Sequence, residues 1–332
     1  MKIFVTGATG FLGHHLIPAL CRAGHSVRIL TRTPAQHTWL AHFPNVEIIQ
    51  GDILHKTALI QAVQGCEYVI HAAGNFRFWG EEEAFYQANL SGTQNILQAS
   101  LHAQVKRFVY ISTVAVIGQP NPERVIDEGQ SAHPADAYQK SKLAAETEVI
   151  NASQQGLPCV ILRAGAFYGP LGSYAFNRLF FKDPMRGLIM QMDRGRHVIF
   201  PVYVGDVAAM SISALTKGRS GEIYNISGAS ITHKDAFDII CREANIRFPR
   251  ISVPGWTGIA LSHVLEAVAR LTGHEPFYPL NLRSYVYNDW HVSSEKARRE
   301  LGFIPLDFTE GVRRTIAWYR AGEPESIPEV EC

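Results

Sequence analysis

The chain has 332 residues, 46% of them hydrophobic and 18% charged, with a net charge of +1. That length buries a substantial core in one or two domains. The near-neutral balance speaks against nucleic acid or an anionic membrane as the main partner. β-branched runs at 2–6, 26–31, 46–50, 67–71, 107–112 and 159–163 alternate with helical stretches at 11–23, 56–64, 83–103 and 137–155. Strand–helix alternation at this spacing predicts an α/β fold with a doubly wound parallel sheet. The strands lack polar alternation because both of their faces are covered.

Beyond residue 164 the pattern loosens, and Gly, Pro and aromatic residues crowd 165–203. A helix at 205–217 and a strand at 222–226 read as a return to the sheet, and further helices and loops fill 232–320. The expected division is a dinucleotide-binding domain (1–164 plus 204–230), a smaller C-terminal substrate-binding lobe (165–203 and 231–320) and a tail (321–332). No run of about twenty apolar residues could span a membrane. The nearest candidate, 255–271, is interrupted by Ser262, His263, Glu266 and Arg270. It predicts a core-facing helix, with a membrane-surface helix as the alternative. The five cysteines are spaced for neither zinc nor thiol redox chemistry, so no metal is expected and a cytoplasmic setting fits. No secretory signal is expected, since residues 3–6 already read as a strand.

The first strand runs into TGATGFLG at 6–13. A strand that turns tightly into a helix needs residues that tolerate positive φ and lack a Cβ. Gly7 suits the turn, Gly10 suits close approach of a pyrophosphate, and Gly13 suits packing of the helix. Thr9, Phe11 and Leu12 complete the expected contact set. The second strand ends VRILTRTP. Thr31 takes the place where NAD-binding sheets usually carry an acid for the ribose 2′-OH, and Arg32 suits a 2′-phosphate. The expected cofactor is therefore NADP, with NAD as the alternative. Asp52, after the third strand, suits the adenine amino group or a plain loop cap, and Ile53 suits the adenine ring.

Further motifs follow in order: GDI at 51–53, HAA at 71–73, NLSGT at 89–93, YISTVAVIG at 110–118, YQKSK at 138–142, LRAGAFYGP at 162–170 and VYVGDVA at 202–208. Together these make the chain resemble the extended short-chain dehydrogenase/reductase family, the NAD-dependent epimerase/dehydratase family, over nearly its whole length. Its branch resembles that of dihydroflavonol 4-reductase, 3β-hydroxysteroid dehydrogenase and the hopanoid-associated sugar epimerase-like proteins. FRFW at 76–79, EAVARLTGHEP at 266–276 and SSEKARRELGF at 293–303 suggest the last of these. The resemblance implies a Rossmann-type fold and cofactor contacts at Ala72, Ala73, Asn89, Ser112 and Ala164. It puts Thr113 in the place of the family's catalytic Ser/Thr. It also implies a homodimer paired through the helices near 84–103 and 137–155.

The chemistry can be argued separately. Tyr138 and Lys142 are four apart in a helical stretch and share one face. A phenol with a pKa of about 10 is a poor proton carrier at neutral pH. A nearby ammonium and the nicotinamide's positive charge would favour its phenolate. Lys142 also suits the nicotinamide ribose. Thr113 ends the fifth strand, where open parallel sheets place their reactive groups. The expected reaction is hydride transfer between NADPH and a carbonyl/carbinol carbon, with Tyr138 moving the oxygen's proton and Thr113 orienting that oxygen.

Absences narrow the substrate. By resemblance, sugar-nucleotide dehydratases carry Asp-Glu after the active-site Thr, where this chain has Val114 and Ala115. UDP-sugar epimerases carry an Asn and an Arg where this chain has Ala166 and Ile199. Aromatic residues stand in their place, with Phe76, Trp79 and Tyr168 as expected pocket walls beside Ala166. Asn75 and Arg77 are the polar groups expected to reach a substrate. The leading expectation is an NADP-dependent oxidoreductase acting on a hydrophobic ketone or alcohol, dihydroflavonol- or sterol-like. The alternatives are a nucleotide-sugar epimerase and a non-catalytic dinucleotide-binding module.

Overall fold

The computed structural model describes residues 1–325. Residues 326–332 of the expected tail, with Cys332, lie outside the described residues. Seven strands form the central sheet: β1 (Lys2–Thr6), β2 (Ser26–Thr31), β3 (Val46–Gln50), β4 (Tyr68–His71), β5 (Arg107–Thr113), β6 (Cys159–Ala164) and β7 (Ile223–Ile226). Their order is β3-β2-β1-β4-β5-β6-β7, and every pairing is parallel. The order reverses between β1 and β4, which opens a crevice at the carboxyl ends of those two strands.

Successive side chains of a strand point to opposite faces, and both faces here meet helices. Ile3 and Val5 pack with Leu16 and Leu20 of α1 (Gly13–Arg22) on one face. Phe4, Phe108 and Tyr110 pack with α2 (Lys56–Val63), α4 (Gly92–His102) and α5 (Ala137–Gln154) on the other. Burying each such Leu, Ile or Phe is worth about 1.5–3 kcal/mol, which explains why the strands read as unbroken apolar runs. α6 (Val204–Lys217) returns to the first face.

The helix expected as one piece over 83–103 is divided. α3 (Glu82–Tyr86) passes through a π-helical turn at Gln87–Ser91 before α4 begins. The residue at the junction is Gly92, where an added Cβ would stand 2.5 Å from Ile53 Cδ1. The wide turn directs Asn89 inward, a common use of such turns near functional sites.

Much of the remaining chain forms a lobe of short pairs: Ala166–Tyr168 with Pro201–Tyr203, Val198–Ile199 with Ile231–Thr232, and Met190–Met192 with Ile251–Val253. Ala297, Leu301 and Phe303, expected in the lobe, pack into the core of the sheet instead. The lobe's centre is aromatic, with Tyr168, Phe176, Phe180 and Phe181 packed against Phe237 of α7 (His233–Ala244).

The helix expected to face the core, α8 (Gly255–Thr272), does the reverse. Its small residues Gly255, Gly258, Ser262 and Ala269 are the buried ones. Trp256, Val264, Val268 and Leu271 are 72, 61, 51 and 89% exposed. Close approach is the cause: an added Cβ on Gly258 would lie 2.3 Å from the Tyr287 hydroxyl. Only a small-residue face fits there, so the bulky side is turned out. Among the described residues no helix is long and apolar enough to cross a membrane.

Candidate active site

β1 leaves the sheet into Gly7 at φ +73°, a conformation a side chain rarely adopts. An added Cβ on Gly7 would press on the Ala72 carbonyl carbon at 2.6 Å, and one on Gly13 would meet Ala8 O at 2.0 Å. Gly10 differs: its Cβ would find only Gly7 O, at 3.4 Å. The loop is closed on the protein side and open on the crevice side. α1 behind it carries no side-chain cap and no acid in its first turn. The N–H groups of His14, His15 and Leu16 bond to Gly10 O and Leu12 O, while those of Leu12 and Gly13 have no acceptor among the described residues and, with the helix dipole, fit a dinucleotide pyrophosphate. Ala72 and Ala73 border the same crevice, their N–H groups bonded to Thr6 O at 3.2 Å and Thr6 Oγ1 at 3.3 Å.

Thr31 is buried at the end of β2, and Arg32 is exposed beyond it with no ion-pair partner among the described residues. Asp52 takes the loop-cap role, with Oδ1 accepting from Leu54 N at 2.9 Å. Ile53 is half-buried against Gly92. Asn89 faces the protein. Its Oδ1 accepts from Asn75 N at 2.7 Å, and its Nδ2 donates to Asn75 O at 3.1 Å and Ser141 Oγ at 2.9 Å. Both amide protons are thus committed, so the side chain acts as a clamp between loop and helix.

α5 starts at Asp136, whose Oδ1 accepts from Gln139 N at 2.8 Å, and this cap places Tyr138 in the first turn. Lys142 lies one turn on. Its ammonium donates to Ile111 O at 2.7 Å and sits 4.2 Å over the Tyr110 ring. Burial lowers this ammonium to about 7, and Glu146 opposes the shift. Burial pushes the Tyr138 phenol well above its ordinary range, Asp136 adds to the rise, and the Thr113 hydroxyl lowers it. The expectation that the ammonium brings the phenol down is not met in the protein by itself. Lys142 is held at the strand carbonyl, and desolvation dominates. Tyr138 is therefore a neutral phenol, a proton donor. Thr113 Oγ1 also accepts from Ala115 N at 3.1 Å.

Ser112 is committed elsewhere: its hydroxyl donates to Glu146 Oε1 at 2.5 Å. Glu146 also holds Arg163, with Nη2 to Oε2 at 2.7 Å, and both side chains are buried. The sequence reading missed Glu146 and Arg163. The available signal was the spacing, since 138, 142 and 146 fall on one helix face. Ala164 ends β6 inside the core and Ala166 is half-buried beyond it.

An aromatic wall closes on Tyr138. The Phe76 ring centroid lies 4.7 Å from that of Tyr138, 5.2 Å from Phe78 and 5.8 Å from Tyr174. Phe78 N donates to the Tyr174 hydroxyl at 2.9 Å, and Tyr285 packs on Phe78 at 5.2 Å. Phe76 is where it was expected, and Asn75 is pinned behind it by Asn89. Two expected walls are elsewhere. Trp79 lines a separate groove with Glu81, Glu266 and Arg270. Tyr168 points into the lobe's core between Phe176, Phe181 and Phe308, because the strand pairing at Ala166–Tyr168 turns its side chain inward. Arg77 lies over the Tyr174 ring at 4.6 Å. Phe78, Tyr174 and Tyr285 take the places expected for Trp79 and Tyr168.

The model of the NAD dependent epimerase/dehydratase family matches residues 3–227. A 4-hydroxy-2-methyl-3-oxo-4-farnesyl-3,4-dihydroquinoline-1-oxide ketoreductase from Stigmatella aurantiaca is 28% identical over 310 residues, covering 91% of this chain and 92% of its own. A 2-alkyl-3-oxoalkanoate reductase from Stenotrophomonas maltophilia is 27% identical, covering 95% and 98%. The solved UDP-glucose 4-epimerase of Thermotoga maritima, 22% identical, superposes with a TM-score of 0.81 over 97% of this chain and 99% of its own, a likeness of fold. With the sheet order and the helix that carries Tyr138 and Lys142, the match shows that this chain belongs to the NAD-dependent epimerase/dehydratase family, the extended short-chain dehydrogenase/reductases, and is an NAD(P)-dependent enzyme.

Proposed function

We propose that the protein is an NADP-dependent reductase of a hydrophobic ketone. The observation that carries this reading is the aromatic wall set directly on Tyr138, with the Phe76 and Tyr138 centroids 4.7 Å apart. Apolar walls with few polar anchors suit flat or chain-like apolar ligands. The positions where a sugar nucleotide would need polar partners hold Ala166 and a buried Ile199. The relatives in Stigmatella and Stenotrophomonas, named for ketones bearing farnesyl and alkyl groups, support the same class.

When bound, the nicotinamide supplies the hydride. The chain's own residues do the rest. Gly7, Thr9, Gly10, Phe11, Leu12 and Gly13 would cradle the pyrophosphate, and Arg32 the 2′-phosphate that distinguishes NADP from NAD. Thr113 orients the substrate oxygen. Tyr138, held neutral by burial, passes its proton to that oxygen as the carbonyl becomes an alcohol. Lys142, on the same helix face, binds the ribose and opposes the negative charge left on Tyr138. The same reading takes the protein as cytoplasmic and as a homodimer paired through the helices near 84–103 and 137–155, and light scattering on the purified chain tests the dimer.

The deciding experiment follows NADPH oxidation against a panel of hydrophobic ketones and, in parallel, thermal shifts with UDP- and GDP-sugars. Ketone-dependent oxidation supports the reading. NADPH binding with no ketone reduced, alongside a shift with a sugar nucleotide, overturns it in favour of an epimerase.

A further inference from the structure

A second apolar space lies in the lobe, behind the aromatic wall. Leu179, Met192, Phe237 and Val286 line it. Met192 and Val286 belong to the same packed cluster as Phe78, and Phe76 and Leu179 pack against that cluster. The space therefore lies against the same packed cluster as the wall on Tyr138, with the rings of Phe76 and Phe78 standing between them. Exposed Leu188 and Phe277 mark its outer side.

One wall residue does not suit a purely apolar cavity. His233 opens α7 and is buried against Phe180, ring centroids 5.4 Å apart. Its Nε2 is enclosed without a hydrogen-bond partner among the described residues. The Tyr278 hydroxyl, in the lining of this space, is buried near the Tyr287 hydroxyl, and neither makes a well-formed hydrogen bond among the described residues. Leaving such groups dry and unpaired is costly, and native structures seldom do it without a ligand or water to meet them. Burial holds the His233 imidazole neutral, at about 3. The rim carboxylate, Asp183, pairs with Arg178 at 3.7 Å. That pairing leaves the rim without a free charge among the described residues, and a neutral imidazole suits a neutral oxygen as hydrogen-bond partner.

We propose that this pocket binds the far end of an elongated apolar substrate, that this end carries a neutral oxygen such as a hydroxyl, and that His233 is its hydrogen-bond partner. The proposal rests on the reductase reading for the near end of that substrate. It adds a specificity site that sets chain length and the chemistry of the distal terminus.

The test uses the full chain and simple probes. Calorimetry measures 1-alkanols from butanol to decanol, with octanoate, and headspace partition measures octane as the polar-group control. Affinity is expected to rise with chain length by up to about fourfold per methylene. Octanol is expected to exceed both octane and octanoate. Leu179→Trp, or Met190→Trp should the first not fold, fills the pocket and flattens the gradient. His233→Phe keeps the gradient but lowers the octanol-to-octane ratio about fivefold or more. Leu271→Ser on the exposed face of α8 serves as a surface control and leaves both unchanged. A flat wild-type series overturns the proposal. So does a gradient untouched by the filling variants, or an alcohol preference untouched by His233→Phe. Ketone reduction without any chain-length gradient overturns the pocket and spares the reductase reading. A full alcohol gradient with no ketone reduced does the opposite.

Discussion

Tyr138 and Lys142 are legible at four-residue spacing, but their charge states are not. Whether a phenol is raised or lowered depends on how much water the fold removes and on where the neighbouring ammonium is tied. Here Lys142 is drawn to Ile111 O, and burial sets the phenol high. Tyr138→Phe keeps the ring against Phe76 and deletes only the proton. The expected result is a fall in kcat of about 10²–10⁴-fold with NADPH affinity nearly unchanged, read from steady-state kinetics and cofactor fluorescence. Loss of cofactor binding as well would mean that Tyr138 serves the site in some other way. Arg32 is testable by difference. Arg32→Ala is expected to weaken NADPH about tenfold or more and leave NADH alone, because only the former carries the 2′-phosphate. An equal effect on both would remove Arg32 from the phosphate. Asp52 shows the limit of such reading, since a side chain at a strand end can satisfy its own loop, and this one does.

Elements formed by local pattern were legible; elements shaped by contact were not. β5 and α5 match their periodicity closely, and Asp136 supplies an ordinary N-cap. The break between α3 and α4 was not legible, and Gly92 at its end packs closely over Ile53, a contact distant in sequence. That break is what turns Asn89 toward Asn75 and Ser141. Asn89→Leu strands the Asn75 backbone groups and should cost about 2–4 kcal/mol in urea unfolding. It should also raise KM for the ketone, because the Phe76 wall loses its tether. A variant of unchanged stability would show that Asn89 has no clamping role. α8 is the other misreading, because hydrophobic periodicity identifies an apolar face without saying which side meets the protein. Val264→Ser and Leu271→Ser should each shift stability by no more than about 0.5 kcal/mol. Gly258→Val, pushed toward the Tyr287 hydroxyl, should be clearly destabilised.

At the scale of the whole molecule the central sheet could be read from sequence and the lobe could not. The sheet repeats one rule seven times, whereas the lobe consists of two- and three-residue pairings between distant segments. Buried histidines in both parts bear on stability, three of them held neutral by burial. His71 ties β4 to Thr6 at 2.6 Å and to Thr93 at 2.9 Å, His15 ties α1 to Pro170 O at 2.9 Å, and His233 lies in the lobe. The proton count at His71 requires a neutral ring: the Thr93 hydroxyl gives its one proton to Asn89 O, so His71 Nε2 must donate to Thr93, while Nδ1 accepts from Thr6. Burial lowers His71 and His233 to about 3 and His15 to about 4, from 6.5. The folded pKa lies below the unfolded one, so between them the unfolded chain binds more protons. This stability is fully present above pH 6.5 and drains away as pH falls toward 4 and then 3. Each buried imidazole then costs about 1.4 kcal/mol per pH unit. Asp136 and Asp206, raised to about 6 by burial, and Asp183, also raised by burial, work in the opposite sense as pH falls below about 6, but His14 too is lowered to about 4 by burial, so three raised carboxyls face four lowered histidines. Urea unfolding from pH 7 to 4 should therefore show net loss of stability. His71→Gln, destabilised or not at pH 7, should show a slope shallower by roughly 1.4 kcal/mol per pH unit below pH 6. An unchanged slope would mean that His71 is not the neutral link between β1, β4 and α4.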